Sequence, residues 1–184
     1  MFVERVALDP IPAYARIAPA VLTSVLSLML GGAGDLARAL DAGFRDMESR
    51  QPDMAAFIAA EVAQLPGPRV QALAYFLAVL VFRAFEEAFG SRLGCVRTRD
   101  MTHMLERLIV DGELRSGGAA GSSYSEDAIA IGQPALVVLL RSEVDRAVAE
   151  DPDAPWEALD RFYESLLVTV LVLTQAVGPR VARD

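Results

Sequence analysis

Arg83, Glu86 and Glu87 follow directly on a run of eleven apolar residues, Ala72 to Phe82. Two carboxylates at the end of an apolar helix can do acid-base work when burial lets one keep its proton beside an ionised neighbour. Glutamates in a last helical turn also oppose the macrodipole, and Arg83, three and four positions back, is the expected offset. At helical spacing Tyr75, Phe82, Phe85 and Phe89 form an aromatic stripe on the same segment. With Arg83, Glu86 and Glu87 at its edge, the stripe is a candidate wall for a small apolar or anionic ligand.

Asp100-x-x-His103 sets a carboxylate and an imidazole one helical turn apart, and Glu86 or Glu87 would be needed to complete an acid-base or metal site with them. A helical carboxylate-bridged metal pair draws on two such pairs, and this chain has one histidine and one cysteine. Neither a metal nor another cofactor is expected. Cys95 lies in the one acid-free basic run, where Arg92, Arg97 and Arg99 are candidate anion ligands and a cationic setting would favour a reactive thiol. The position six residues beyond is Met101 rather than Arg, so the phosphatase Cys-x5-Arg loop is absent. The same run has a second use, docking against residues 141–164, which hold eight acids and three arginines.

Every one of the 17 basic residues is arginine. Without lysine there is no Walker A phosphate ligand, Schiff base, kinase-type strand lysine or Ser-x-x-Lys acylation site. A net charge of -8 argues against nucleic acid as a partner, since phosphate binding needs clustered basic side chains. The single cysteine excludes an internal disulfide and fits a reducing, cytoplasmic setting. Residues 17–30 are apolar enough for a signal h-region, but Glu4 and Asp9 cancel Arg5 and Arg16 ahead of them, and no secretory signal is expected. The Ala72–Phe82 run falls short of the roughly 20 residues of a membrane span.

Two short motifs resemble known families. Gly32-x-Gly34-x-x-Ala37 resembles the Rossmann dinucleotide fingerprint, which implies pyrophosphate bound at a helix N-terminus. The strand that should carry the ribose-binding acid is missing, because residues 48–53 run into another helical pattern; a helix stop followed by an Asp35 cap accounts for the spacing. Residues 104–115, MLERLIVDGELR, resemble the recognition-helix end of winged-helix DNA-binding domains, which implies phosphate contacts from Arg92, Arg97, Arg99 and Arg107. No wing pattern follows, and the net charge opposes that reading.

The elements that must position these residues are helices. Asp9-Pro10 opens a segment that Pro19 should kink or split and Gly31-Gly32 should stop. Helices are predicted from Asp35 to about Arg50, from Pro52 to before Leu65, from Pro68 to Gly90, and from a Thr98 or Asp100 cap through Val110. A flexible glycine- and serine-rich loop is predicted at about 112–132, then a helix from Pro134 to Glu150 and a long last helix closed by Gly178-Pro179. Trp156, Leu159, Tyr163, Leu166, Val170, Leu173 and Val177 alternate at spacings of three and four, the seam of a helix packed lengthwise in an αα-hairpin with its predecessor. Nearly every residue from Leu166 to Leu173 is apolar, so this half should be central. The Gln51-Pro52-Asp53 turn resembles Asp151-Pro152-Asp153, though their flanks match too poorly for a repeat.

The expected architecture is all-α, a mainly antiparallel bundle of six or seven helices in one domain, 1–184; α/β is the runner-up because β-branched residues cluster at 168–172. A mean hydropathy of +0.33 beside that charge suggests apolar faces shared between copies. The expected function is therefore a non-enzymatic, self-associating (homodimeric) interaction or regulatory protein. The alternatives are a small-ligand binder using the aromatic stripe and an enzyme using Glu86, Glu87 or His103.

Overall fold

The structure, a computed structural model, describes residues 11–31, 36–115, 129–130, 132–153 and 155–179, the side chains of 109–115 excepted. Among the described residues seven helices pack into an all-α bundle: α1 (Pro19–Leu30), α2 (Leu36–Arg50), α3 (Pro52–Ala63), α4 (Pro68–Phe89), α5 (Thr98–Arg115), α6 (Pro134–Glu150) and α7 (Glu157–Ala176). Short 3-10 turns lie at Ala13–Ala15 and Gly90–Arg92. There is no strand among the described residues, and the β-branched run at 168–172 is helical. The Asp35 cap, Gly32, Gly34 and most of the 112–132 stretch lie outside the described residues.

Proline starts α1, α3, α4 and α6, where its missing N–H costs nothing and its φ already suits a helix. Pro19 accordingly splits the first segment, with Ala18 extended before it. Gly90, at φ 51, turns the chain out of α4 in a conformation that a side chain would strain. The start of α5 differs from the predicted cap. Asp100 reaches back to accept from the Arg97 N–H at 2.9 Å, and Asp53 of α3 accepts from the Thr98 N–H at 2.9 Å and hydroxyl at 3.1 Å. The helix also runs on past Val110 to Arg115.

The buried side chains of all seven helices form one core. α7 lies at its centre, buried at every residue from Ser165 to Thr174 and packed on α3, α4 and α5. Each such aliphatic side chain contributes about 1.5–3 kcal/mol relative to exposure. The expected hairpin of the last two helices is opened, however, and α6 packs more closely on α1 and α4 than on α7. Two side-chain contacts span the turn and the gap: the Trp156 indole donates to the Asp151 carbonyl at 2.6 Å, and the Arg141 guanidinium lies 5.5 Å over the Tyr163 ring.

Two buried glutamines tie the bundle together. Gln51, just before α3, donates to the Gly94 carbonyl at 2.9 Å and accepts from the Val96 N–H at 2.7 Å. Gln133, just before α6, donates to the Ala15 carbonyl at 2.6 Å and accepts from the Ile17 N–H at 2.9 Å. Each amide satisfies alternate backbone groups of an extended segment as a neighbouring strand would. The structural counterpart of Gln51-Pro52 is thus Gln133-Pro134, and not Asp151-Pro152, whose turn resembles it in sequence. A single antiparallel bridge, Leu93 with Val177, joins the ends of the two central helices.

Among the described residues one stretch, Ala13–Leu30, is long and apolar enough by length and composition to cross a membrane, with mean hydropathy 1.5 over 18 residues. Its regular part is α1 alone, which buries Leu22, Val25 and Met29 against the bundle.

Candidate functional site

Gly43 lets α2 approach α4: a Cβ at that position would lie 2.4 Å from Cγ1 of Val79. The close approach leaves a groove on each side of the contact. On the α1 side, Val25, Leu28 and Met29 of α1, Asp46 and Arg50 of α2, and Arg83, Glu86 and Glu87 of α4 line a groove of about 430 Å³. On the other side, Leu40, Phe44, Tyr75 and Val79 line a more apolar groove of about 540 Å³, where Phe44 meets Tyr75 edge-on with ring centroids 5.3 Å apart.

The floor of the first groove is a row of alternating charge. Arg83 Nη1 donates to Asp46 Oδ2 at 2.6 Å, Arg50 Nε lies 3.2 Å from Asp46 Oδ1, and Arg50 Nη1 donates to Glu86 Oε2. The expected offset of Glu86 and Glu87 by Arg83 within one helix is therefore replaced by a cross-helix network. Close packing at Gly43 brings two side chains of α2 within reach, and a guanidinium satisfied across an interface orders both helices at once. The Glu86 side chain is only 13 % exposed, while Glu87 stands at the exposed rim.

The aromatic stripe is divided between two environments. Phe82, Phe85 and Phe89 are 0 %, 0 % and 7 % exposed, belong to the core, and line neither groove; Tyr75 alone faces the second one. A shared ligand wall of the four is replaced by core packing, because α4 is covered on several sides at once. His103 is exposed on α5, which packs on α3 and α7, whereas Glu86 and Glu87 face a groove made by α1, α2 and α4. Among the described residues no group of three potential metal ligands converges.

The basic run forms no common cradle. Arg92 is spent on the backbone: it donates through Nε and Nη2 to the Gly178 carbonyl at 3.1 and 3.0 Å and through Nη2 to the Tyr14 carbonyl at 3.2 Å, with its guanidinium 5.6 Å over the Phe89 ring. Arg97 and Arg99 are exposed, and Arg99 pairs with its neighbour Asp100 at 3.5 Å. The acidic segment 141–164 instead meets Arg69, through Asp151.

Asp46 and Arg50, absent from the candidate set read in the sequence, complete the groove. Their four-residue spacing marks them as an intrahelical pair, but nothing local shows that the pair faces α4. Gln51 and Gln133 carried a signal, a twice-used Gln-Pro before an apolar helix. Comparison with family models, with curated proteins and with solved structures finds no match. A functional reading therefore rests on the geometry itself.

Proposed function

We propose that this chain is a non-catalytic interaction protein that self-associates through the corner where α1 meets α2. The observation that carries the reading is apolar surface left in solvent at the end of α1 and the start of α2: Leu28 is 71 % exposed, Leu30 49 % and Leu36 42 %, and Leu28 also borders the charged groove. Exposed apolar side chains beside a row of charges are the composition of an association surface. The row Arg83, Asp46, Arg50, Glu86 alternates in sign, so read in reverse it is its own complement, as a two-fold contact between identical copies requires. A cytoplasmic location belongs to the same reading.

Native mass spectrometry and light scattering of the full chain test it. A dimer at micromolar concentration is expected, and Leu28→Asp should weaken it at least about tenfold, the scale of one lost apolar anchor, with the circular dichroism spectrum unchanged. A wild-type monomer at about 100 µM, a concentration well above that of typical specific association, would overturn the proposal. The second reading, a small ligand in the 430 Å³ groove, is favoured by its size and by apolar walls over a charged floor. Extra mass on the native protein that disappears on denaturation would put that reading first.

A further inference from the structure

We infer that the chain is an internal dimer, two copies of one helical unit fused head to tail, in which each copy's partner surface is the other copy.

Three independent kinds of observation carry this. The first is reciprocal hydrogen bonding, for Gln51 of the first half holds residues 94 and 96 of the second, while Gln133 of the second half holds residues 15 and 17 of the first. The two glutamines share an unusual backbone conformation, φ -134 and ψ 60 against φ -130 and ψ 54. Where the two central helices end, Gly94 N–H donates to the Ala176 carbonyl and Gly178 N–H to the Arg92 carbonyl, both at 2.8 Å, so the Leu93–Val177 bridge reads the same from either side. That is the signature of a local two-fold axis.

The second is a common register. One constant shift carries Ile17, Leu22 and Val25 onto Val96, Met101 and Met104, all six buried. Under the same shift the Thr23 hydroxyl bond to the Pro19 carbonyl becomes the Thr102 hydroxyl bond to the Thr98 carbonyl. A second shift carries Gln51, Met54 and Ile58 onto Gln133, Leu136 and Leu140, again all buried, and places Glu61-Val62 on Glu143-Val144. One difference is itself reciprocal: Asp53 accepts from the Thr98 N–H, and where the other half has Pro19, which has no N–H, the counterpart of Asp53 is Ala135.

The third is packing. α1 lies on α4 as α5 lies on α7, α1 on α6 as α5 on α3, and α3 on α7 as α6 on α4, while α4 and α7 pack on each other across the axis. The surface through which separate copies of the unit would associate is thereby spent inside the chain. Among the described residues, contacts with other molecules fall to the two α2–α4 grooves above all. This inference is independent of the proposed self-association.

Residues 14 and 178 lie side by side, since one Arg92 nitrogen donates to both the Tyr14 and Gly178 carbonyls, at 3.2 and 3.0 Å. A circular permutant that joins residue 184 directly to residue 1 and opens the chain between Leu93 and Gly94 keeps every residue and exchanges the order of the halves. It is expected to retain the helical spectrum and a cooperative melt. The decisive reading is the ranking of Gln51→Leu and Gln133→Leu. In the native order the segment that Gln133 holds is followed by α1 and preceded by no described α-helix, while the one that Gln51 holds is flanked by α4 and α5, so Gln51→Leu should lower Tm more. In the permutant the ranking should invert. An unchanged ranking overturns the inference, as does a junction permutant that fails to fold, whether or not one opened in the 64–67 turn folds.

Discussion

The two long central helices solve the same burial problem differently. α4 is enclosed through Phe85 yet brings Arg83 and Glu86 to a groove in its last turns, whereas α7 is buried without interruption from Ser165 to Thr174 and carries no charge there. α2 explains the difference on the α4 side: it lies against that helix and supplies Asp46 and Arg50 as counter-charges. Charge is tolerated near the end of a central helix only where a neighbour completes its hydrogen bonds. The charge on α4, set against the uncharged stretch of α7, thus marks the groove of α1, α2 and α4 as polar surface that the molecule has to use.

The largest effect should come from giving α7 what α4 has. Val170 stands as far from the end of α7 as Arg83 does from the end of α4, but it is 0 % exposed with apolar neighbours on the helix. Val170→Arg is expected to abolish cooperative unfolding, since an unpaired buried charge costs more than the roughly 5–15 kcal/mol domain stability can absorb alongside the overpacking it forces. A cooperative melt near the wild-type midpoint would show that the two helices are equally permissive and would sink the comparison.

An intermediate effect is expected at the contact that lets α2 serve α4. Replacing a mid-helix glycine by alanine ordinarily stabilises by about 1 kcal/mol. At Gly43 the new methyl would lie 2.4 Å from a buried valine, so α2 must lift from α4. Gly43→Ala should therefore destabilise by about 1–3 kcal/mol, the usual range for overpacking, as read from the midpoint and slope of urea denaturation. A gain in stability would mean that Val79 yields and that the groove geometry does not depend on this approach.

The smallest effect is a difference in acid sensitivity between the two helix starts that the halves place at equivalent positions. Hydrogen bonds from the Thr98 N–H and hydroxyl, with Arg97 nearby, hold the Asp53 carboxyl below its ordinary value of 3.8. A carboxylate shifted downward in the native state contributes stability in full above about pH 4 and loses it as pH falls through the native value. Amide exchange at Thr98 should accordingly quicken relative to the rest of the molecule as the solution is acidified below pH 4, and Asp53→Ala should remove that pH dependence. The start of α1, where Pro19 has no N–H and Ala135 no carboxylate, should show no matching acid response.

The helices, their starts and most of their ends were legible in the chain because they rest on local physics: proline at first turns, glycine at Gly90, and apolar positions recurring at three and four. The central place of the last helix followed from the density of apolar residues between Leu166 and Leu173, which leaves no solvent face. The candidate site was legible only in part. Arg83, Glu86 and Glu87 stood out by type and spacing, but their partners come from another helix, and the aromatic stripe divides between core and surface according to what covers it. Tertiary structure alone decided that Arg83 pairs with Asp46, that Arg92 binds the chain's own backbone, and that Gln51 answers to Gln133 rather than to Asp151. Each of these depends on which faces meet at long sequence separation, and composition and periodicity constrain a face without naming its neighbour.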